Sequence, residues 1–127
     1  MKGIIIALLA MSSPFPVLAL DCKNAKTQLD MNQCANEEYK KVDGELNTLY
    51  QDILKRTSNE QIKLLKAAQN KWIEYRDADC KFQTSQSVGG SIHPMVYSHC
   101  LAEKTENRIN EFKKALSCEE GDINCPL

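Results

Sequence analysis

The chain has 127 residues, 43% hydrophobic and 26% charged, which is the make-up of one ordinary soluble domain at most. Its 16 Lys and Arg stand against 17 Asp and Glu, a formal charge of −1. That balance argues against nucleic acid and anionic membranes as partners.

Met1-Lys2-Gly3 is a short positive start, Ile4 to Met11 is an apolar run, and Val17-Leu18-Ala19 puts small residues where a signal peptidase reads. A signal peptide is therefore expected over 1–19 and a single domain over 20–127. The apolar run falls short of the roughly 20 residues that cross a membrane, and Asp21 before Cys22 is wrong for lipid attachment, so no membrane anchor is expected after cleavage. Loss of the leader takes Lys2 and no acid, which moves the charge from −1 to −2. All six cysteines (Cys22, Cys34, Cys80, Cys100, Cys118 and Cys125) lie beyond it, and an even number in an exported chain implies up to three disulfides.

Thr27 can cap a first helix whose opening turn holds Asp30. Met31, Ala35, Glu38, Val42, Leu46, Leu49 and Ile53 then recur at spacings of three and four, to about Arg56, with Gly44 interrupting. Ser58 and Gln61 have capping-box spacing before a second helix, on which Gln61, Leu65, Ala68, Trp72, Arg76 and Asp79 share one face, apolar early and charged late. From Thr84 to Pro94 the pattern lapses into Ser, Gln and Gly89-Gly90, a surface loop. A third helix carries Tyr97, Leu101, Thr105, Arg108, Phe112 and Ala115 on one side and ends near Ser117. Cys118 to Leu127 is an acidic tail. No strand pattern or repeat is present.

The expected fold is all-α, an antiparallel three-helix bundle stapled by disulfides. A connection of about two residues turns the second helix back on the first, and pairing Ile53 with Ile62 sets partner numbers that sum to about 115. Glu38 should then face Arg76. A corresponding sum of about 180 between the second and third helices sets Arg108 level with Trp72 and Cys80 level with Cys100. Glu38, Arg76, Asp79, Thr105 and Arg108 are expected to form a structural polar network, and a catalytic reading is weaker because no nucleophile stands beside it.

Six cysteines allow about fifteen pairings, and the same register prunes them. Cys80 pairs with Cys100. Cys118 would lie about 27 Å from Cys100 along a helix, against a limit of roughly 7 Å between the α-carbons of a bridge, so Cys125 is its cheapest partner. Cys22 and Cys34 remain. A metal site at Cys34, Cys80, Cys100 and His99 is disfavoured, because oxidising export favours bridges and the spacings match no zinc pattern; no cofactor is expected.

Asp30-Met31-Asn32-Gln33-Cys34-Ala35, Leu46-Asn47-Thr48-Leu49-Tyr50, the stretch Ala68 to Cys80 around Lys71-Trp72-Ile73-Glu74-Tyr75-Arg76-Asp77, Gly89-Gly90-Ser91-Ile92-His93-Pro94, and Cys100 with Thr105 and Arg108 together resemble the LprI-like lysozyme inhibitor family. The match covers nearly the whole mature chain. The resemblance implies a small exported helical bacterial protein, periplasmic or secreted, that binds and inhibits lysozyme non-covalently; no nucleophile, metal motif or phosphate-binding loop appears in the sequence, so no enzyme is expected. The member that gave the family its name is a lipoprotein, and this chain departs there.

Two elements are expected to reach a partner: the Ser85 to Pro94 loop, with Ser91 and His93, and the acidic loop between Cys118 and Cys125, with Glu119, Glu120 and Asp122. A mildly acidic surface has the sign to steer towards a basic lysozyme. The competing reading is a non-inhibitory periplasmic binding or envelope-stress module, which would show an exposed apolar patch or pocket between helices.

Overall fold

The computed structural model describes residues 20–119 and 121–127; the expected leader, 1–19, and Glu120 lie outside them. Three long helices carry the chain: α1 (Gln28–Arg56), α2 (Asn59–Gln83) and α3 (His93–Leu116), with 3-10 turns at Cys22–Asn24 and Ser85–Ser87. Among the described residues there is no strand, and no helix is long and apolar enough to cross a membrane.

Local chemistry sets the ends. Thr27 Oγ1 accepts from the Asp30 amide at 3.1 Å while the Asp30 carboxylate accepts from the Thr27 amide, so two of the donors orphaned at the start of α1 are satisfied reciprocally. Ser58 and Gln61 repeat the device at α2. No side chain caps α3, which instead holds Pro94 in its first turn, where a missing N–H costs nothing. The helix thus begins at His93, inside the stretch expected to be loop.

The helices run up, down and up. Gln28 and Asn32 of α1 reach Met95 and the Ser91 carbonyl, while Glu45 and Tyr50 meet Lys113 and Phe112, so α1 and α3 are parallel and α2 is antiparallel to both. The bundle is uneven, since α1 packs most closely on α3 and α2 stands further off. Small buried residues at the α1–α3 seam, Ala35, Ser98 and Ala102, permit that approach. Trp72, Tyr39 and the Arg76 guanidinium hold α2 away from α1.

Leu46, Ile53, Ile109 and Phe112 form the buried core near the α1–α2 turn, and Val42, Leu49, Tyr50, Leu65, Trp72 and Leu116 pack against it. Disulfides join Cys22 to Cys34, Cys80 to Cys100 and Cys118 to Cys125, with Cα separations of 5.5, 5.7 and 5.5 Å. These are the three pairings that the register and the distance limit select.

Candidate functional site

Above the apolar core the bundle centre turns polar around one cation. Arg76, 6% exposed, projects from α2 into the space between all three helices. Its Nε donates to Asp77 Oδ1 at 2.9 Å, and its Nη1 donates to Asp43 Oδ1 at 3.2 Å and towards Thr105 Oγ1 at 3.5 Å. Thr105, fully buried, donates its own hydroxyl to the Leu101 carbonyl at 2.7 Å. The guanidinium carbon lies 5.4 Å from the Tyr39 ring centre and 5.2 Å from that of Trp72, within reach of cation–π attraction.

Burial works against the charge on Arg76, but the hydrogen bond to Asp77 and the fields of Tyr39, Asp77 and Asp43 outweigh it and raise its pKa. Tyr39 is pushed above the ordinary phenol value by burial, with Arg76 opposing. Burial raises Tyr97 as well. The ensemble is a cation held between two carboxylates and two rings, and the three helices each supply part of it.

The expected network is only partly assembled. Glu38 does not meet Arg76; it is exposed on the outer α1–α3 seam, and Asp43 takes the place expected for it. The residue that shares the Arg76 level is Tyr39, and one step of 100° along α1 turns Glu38 out of the bundle. Asp79 also lies apart, paired with Lys104, whose hydrogen bond lowers the carboxyl pKa while Asp79 raises that of Lys104. Arg108 donates to Gln69 Oε1 at 3.1 Å, pairs with Glu111, and sits over Trp72 at 5.8 Å and Phe112 at 4.6 Å, so the stacking expected of it is present but it does not join Arg76. Asp43, Asp77, Gln69 and Lys104 escape the sequence reading. A guanidinium able to reach one turn along a facing helix is the signal that points to Asp43.

The two expected contact loops are both tied down. His93 is the first residue of α3, its Nδ1 is 2.9 Å from Ser87 Oγ, and its ring stacks on Tyr97 with centres 5.9 Å apart. Ser91 is exposed, while its carbonyl accepts from Asn32 Nδ2 at 2.9 Å and fixes the Gly89-Gly90 turn against the start of α1. In the tail Glu119 is exposed and the Asp122 carboxylate accepts from the Asn124 amide. The Pro126 carbonyl accepts from Gln61 on α2, which folds the terminus back along the bundle. Cys34, Cys80 and Cys100 are all in bridges, leaving no thiolate there to join His99 on a metal.

The family model described as Lysozyme inhibitor LprI matches residues 21–112, a stretch holding two of the bridges, the Arg76 centre and the Gly-Gly turn. The chain belongs to the LprI lysozyme inhibitor family. It is 36% identical over 113 residues to "Uncharacterized protein R02472" of Rhizobium meliloti (strain 1021), covering 79% of this chain and 81% of that protein. It is 26% identical over 120 residues to "Uncharacterized protein YecT" of Escherichia coli (strain K12), covering 79% and 74%. No solved structure matches it. The LprI match stops before Cys118, so the third bridge and the acidic loop lie outside the matched stretch.

Proposed function

We propose that this LprI-family chain is exported, loses residues 1–19, and acts in the periplasm or outside the cell as a non-covalent inhibitor that binds lysozyme and blocks its cleft. The family match over residues 21–112 carries this reading. Three disulfides fit an oxidising compartment. Binding of this kind needs no catalytic residue, cofactor or metal, and the Arg76 centre serves it indirectly by locking helix levels. Of the two expected contact loops we favour the one with Ser91 and His93, which lies inside the matched stretch, over Glu119, Glu120 and Asp122, which lie beyond it.

Purified chain beginning at Leu20, assayed against several lysozymes on peptidoglycan, tests the proposal. Inhibition is expected at low micromolar concentration or below; full lysozyme activity throughout would overturn it. A second reading, a non-inhibitory module with a small apolar ligand, draws on a groove of about 330 Å³ between α2 and α3. Leu64, Leu65, Phe112 and Leu127 line it, and Leu64 is 70% exposed. Native mass spectrometry separates the readings, since an apolar molecule retained by a chain that inhibits no lysozyme favours the second.

A further inference from the structure

The outer seam of α1 and α3, on the side away from α2, carries an open groove. Near the Cys22–Cys34 bridge it measures about 590 Å³ over Met31, Ala35 and Met95. It continues past Glu38 and His99 into a stretch of about 280 Å³ above Ala102, with Glu103 and Glu106 on the rim. Its floor is made of small side chains and two flexible thioethers, which adapt to what lies on them. Its rim is anionic. Glu37 pairs with Lys40, Glu45 with Lys113 and Glu111 with Arg108, whereas among the described residues Glu38, Glu103 and Glu106 make no ion pair. Lys41 is the cation lining the groove.

An apolar trough edged by unpaired carboxylates has the complement of a long cationic side chain. An arginine or lysine laid in its narrower end places its methylenes on Ala35 and Ala102 and its charged head among the three glutamates, where charge-assisted hydrogen bonds form, while Met31 and Met95 receive apolar neighbours in the same segment. The whole groove lies within the stretch that matches the family model, unlike the acidic tail. We propose that this groove is the face that receives an Arg- or Lys-bearing segment of lysozyme, an inference that rests on the inhibitor reading above. Opposite charge across the contact speeds encounter and fixes register, and it makes association weaken as salt rises.

The test measures binding of the mature chain to egg-white lysozyme by calorimetry at low and high salt. The variant Glu38→Gln/Glu103→Gln/Glu106→Gln changes exposed groups that hold no internal partner, so its circular dichroism and melting midpoint should match the parent. A second variant of equal net charge, Glu60→Gln/Glu74→Gln/Asp52→Asn, neutralises acids outside the groove and outside both contact loops. The groove variant is expected to bind about tenfold or more weakly with a flatter salt dependence, and the second to stay within about twofold of the parent. If the parent binds and the groove variant binds as tightly, or both variants weaken alike, the groove assignment is overturned while inhibition stands. If the parent binds no lysozyme, the inhibitor reading and this assignment fall together.

Discussion

Arg76 touches two carboxylates, a hydroxyl and two rings, yet the carboxylates differ in their claim on it. Asp77 is its sequence neighbour, while Asp43 is on another helix, so of the two carboxylates Asp43 is the one that ties α1 to α2, beside the Tyr39 ring. Asp43 and Asp77 keep about a third or more of their side chains in water, so losing the cation leaves them wet rather than stranded. Arg76→Met is therefore expected to destabilise by about 1–3 kcal/mol, mostly through Thr105 and the lost stacking. Asp43→Asn alone should cost about 0.5–1.5 kcal/mol, and almost nothing further in a chain that already carries Arg76→Met. Urea midpoints across the parent, the two single variants and the double variant measure this coupling; additive losses would show that the Arg76–Asp43 contact contributes nothing. The sum of about 115 set the right level for Arg76, where Tyr39 indeed stands. A sum of residue numbers says how far along a helix two groups meet and nothing about which way each side chain turns, so it cannot separate Glu38 from Tyr39 or single out Asp43.

At the scale of the helices, α1 runs unbroken through Gly44 for 29 residues. A methyl group there would meet no atom within 4 Å, and the residue is exposed. The glycine thus adds freedom to the unfolded chain without relieving any crowding in the folded one. Gly44→Ala should raise stability by about 0.5–1 kcal/mol, seen as a higher melting midpoint; a lower midpoint would mean that α1 needs the glycine to flex. The capping boxes at Thr27 and Ser58 made the starts of α1 and α2 legible, because short-range polar chemistry decides them. The start of α3 was less so, since Pro94 in a first turn looks, in a row of letters, like the end of a loop. The close pairing of α1 with α3 is not legible in the sequence pattern. It depends on small residues, Ala35, Ser98 and Ala102, which apolar periodicity scarcely weighs, and it is the pairing that creates the groove.

For the whole molecule the bridges divide the work unevenly. Cys80–Cys100 spans the Gly-Gly turn and sets the α2–α3 level at which Asp79 meets Lys104. Cys22–Cys34 binds the N-terminal arm to α1 and walls one end of the groove, while Cys118–Cys125 closes a short loop beyond the helices. Among the described residues the buried apolar cluster is small, four side chains, and the opposite half is held by Leu101, the Cys80–Cys100 bridge, alanine, serine, threonine and a charge. That half has little hydrophobic burial to resist opening. Each bridge contributes about 2–4 kcal/mol by restricting the unfolded chain, against a total of roughly 5–15 kcal/mol for a domain, so the three together rival the whole margin. Full reduction is therefore expected to lower the melting midpoint steeply and to broaden the transition. Cys118→Ser/Cys125→Ser should fall least and Cys80→Ser/Cys100→Ser furthest, because the latter closes the longer loop and lies between two packed helices. Scanning calorimetry of the oxidised, reduced and paired-serine chains ranks them. A reduced chain that melts where the oxidised one does would show that packing alone suffices, and that the compartment in which the chain folds has no part in its stability.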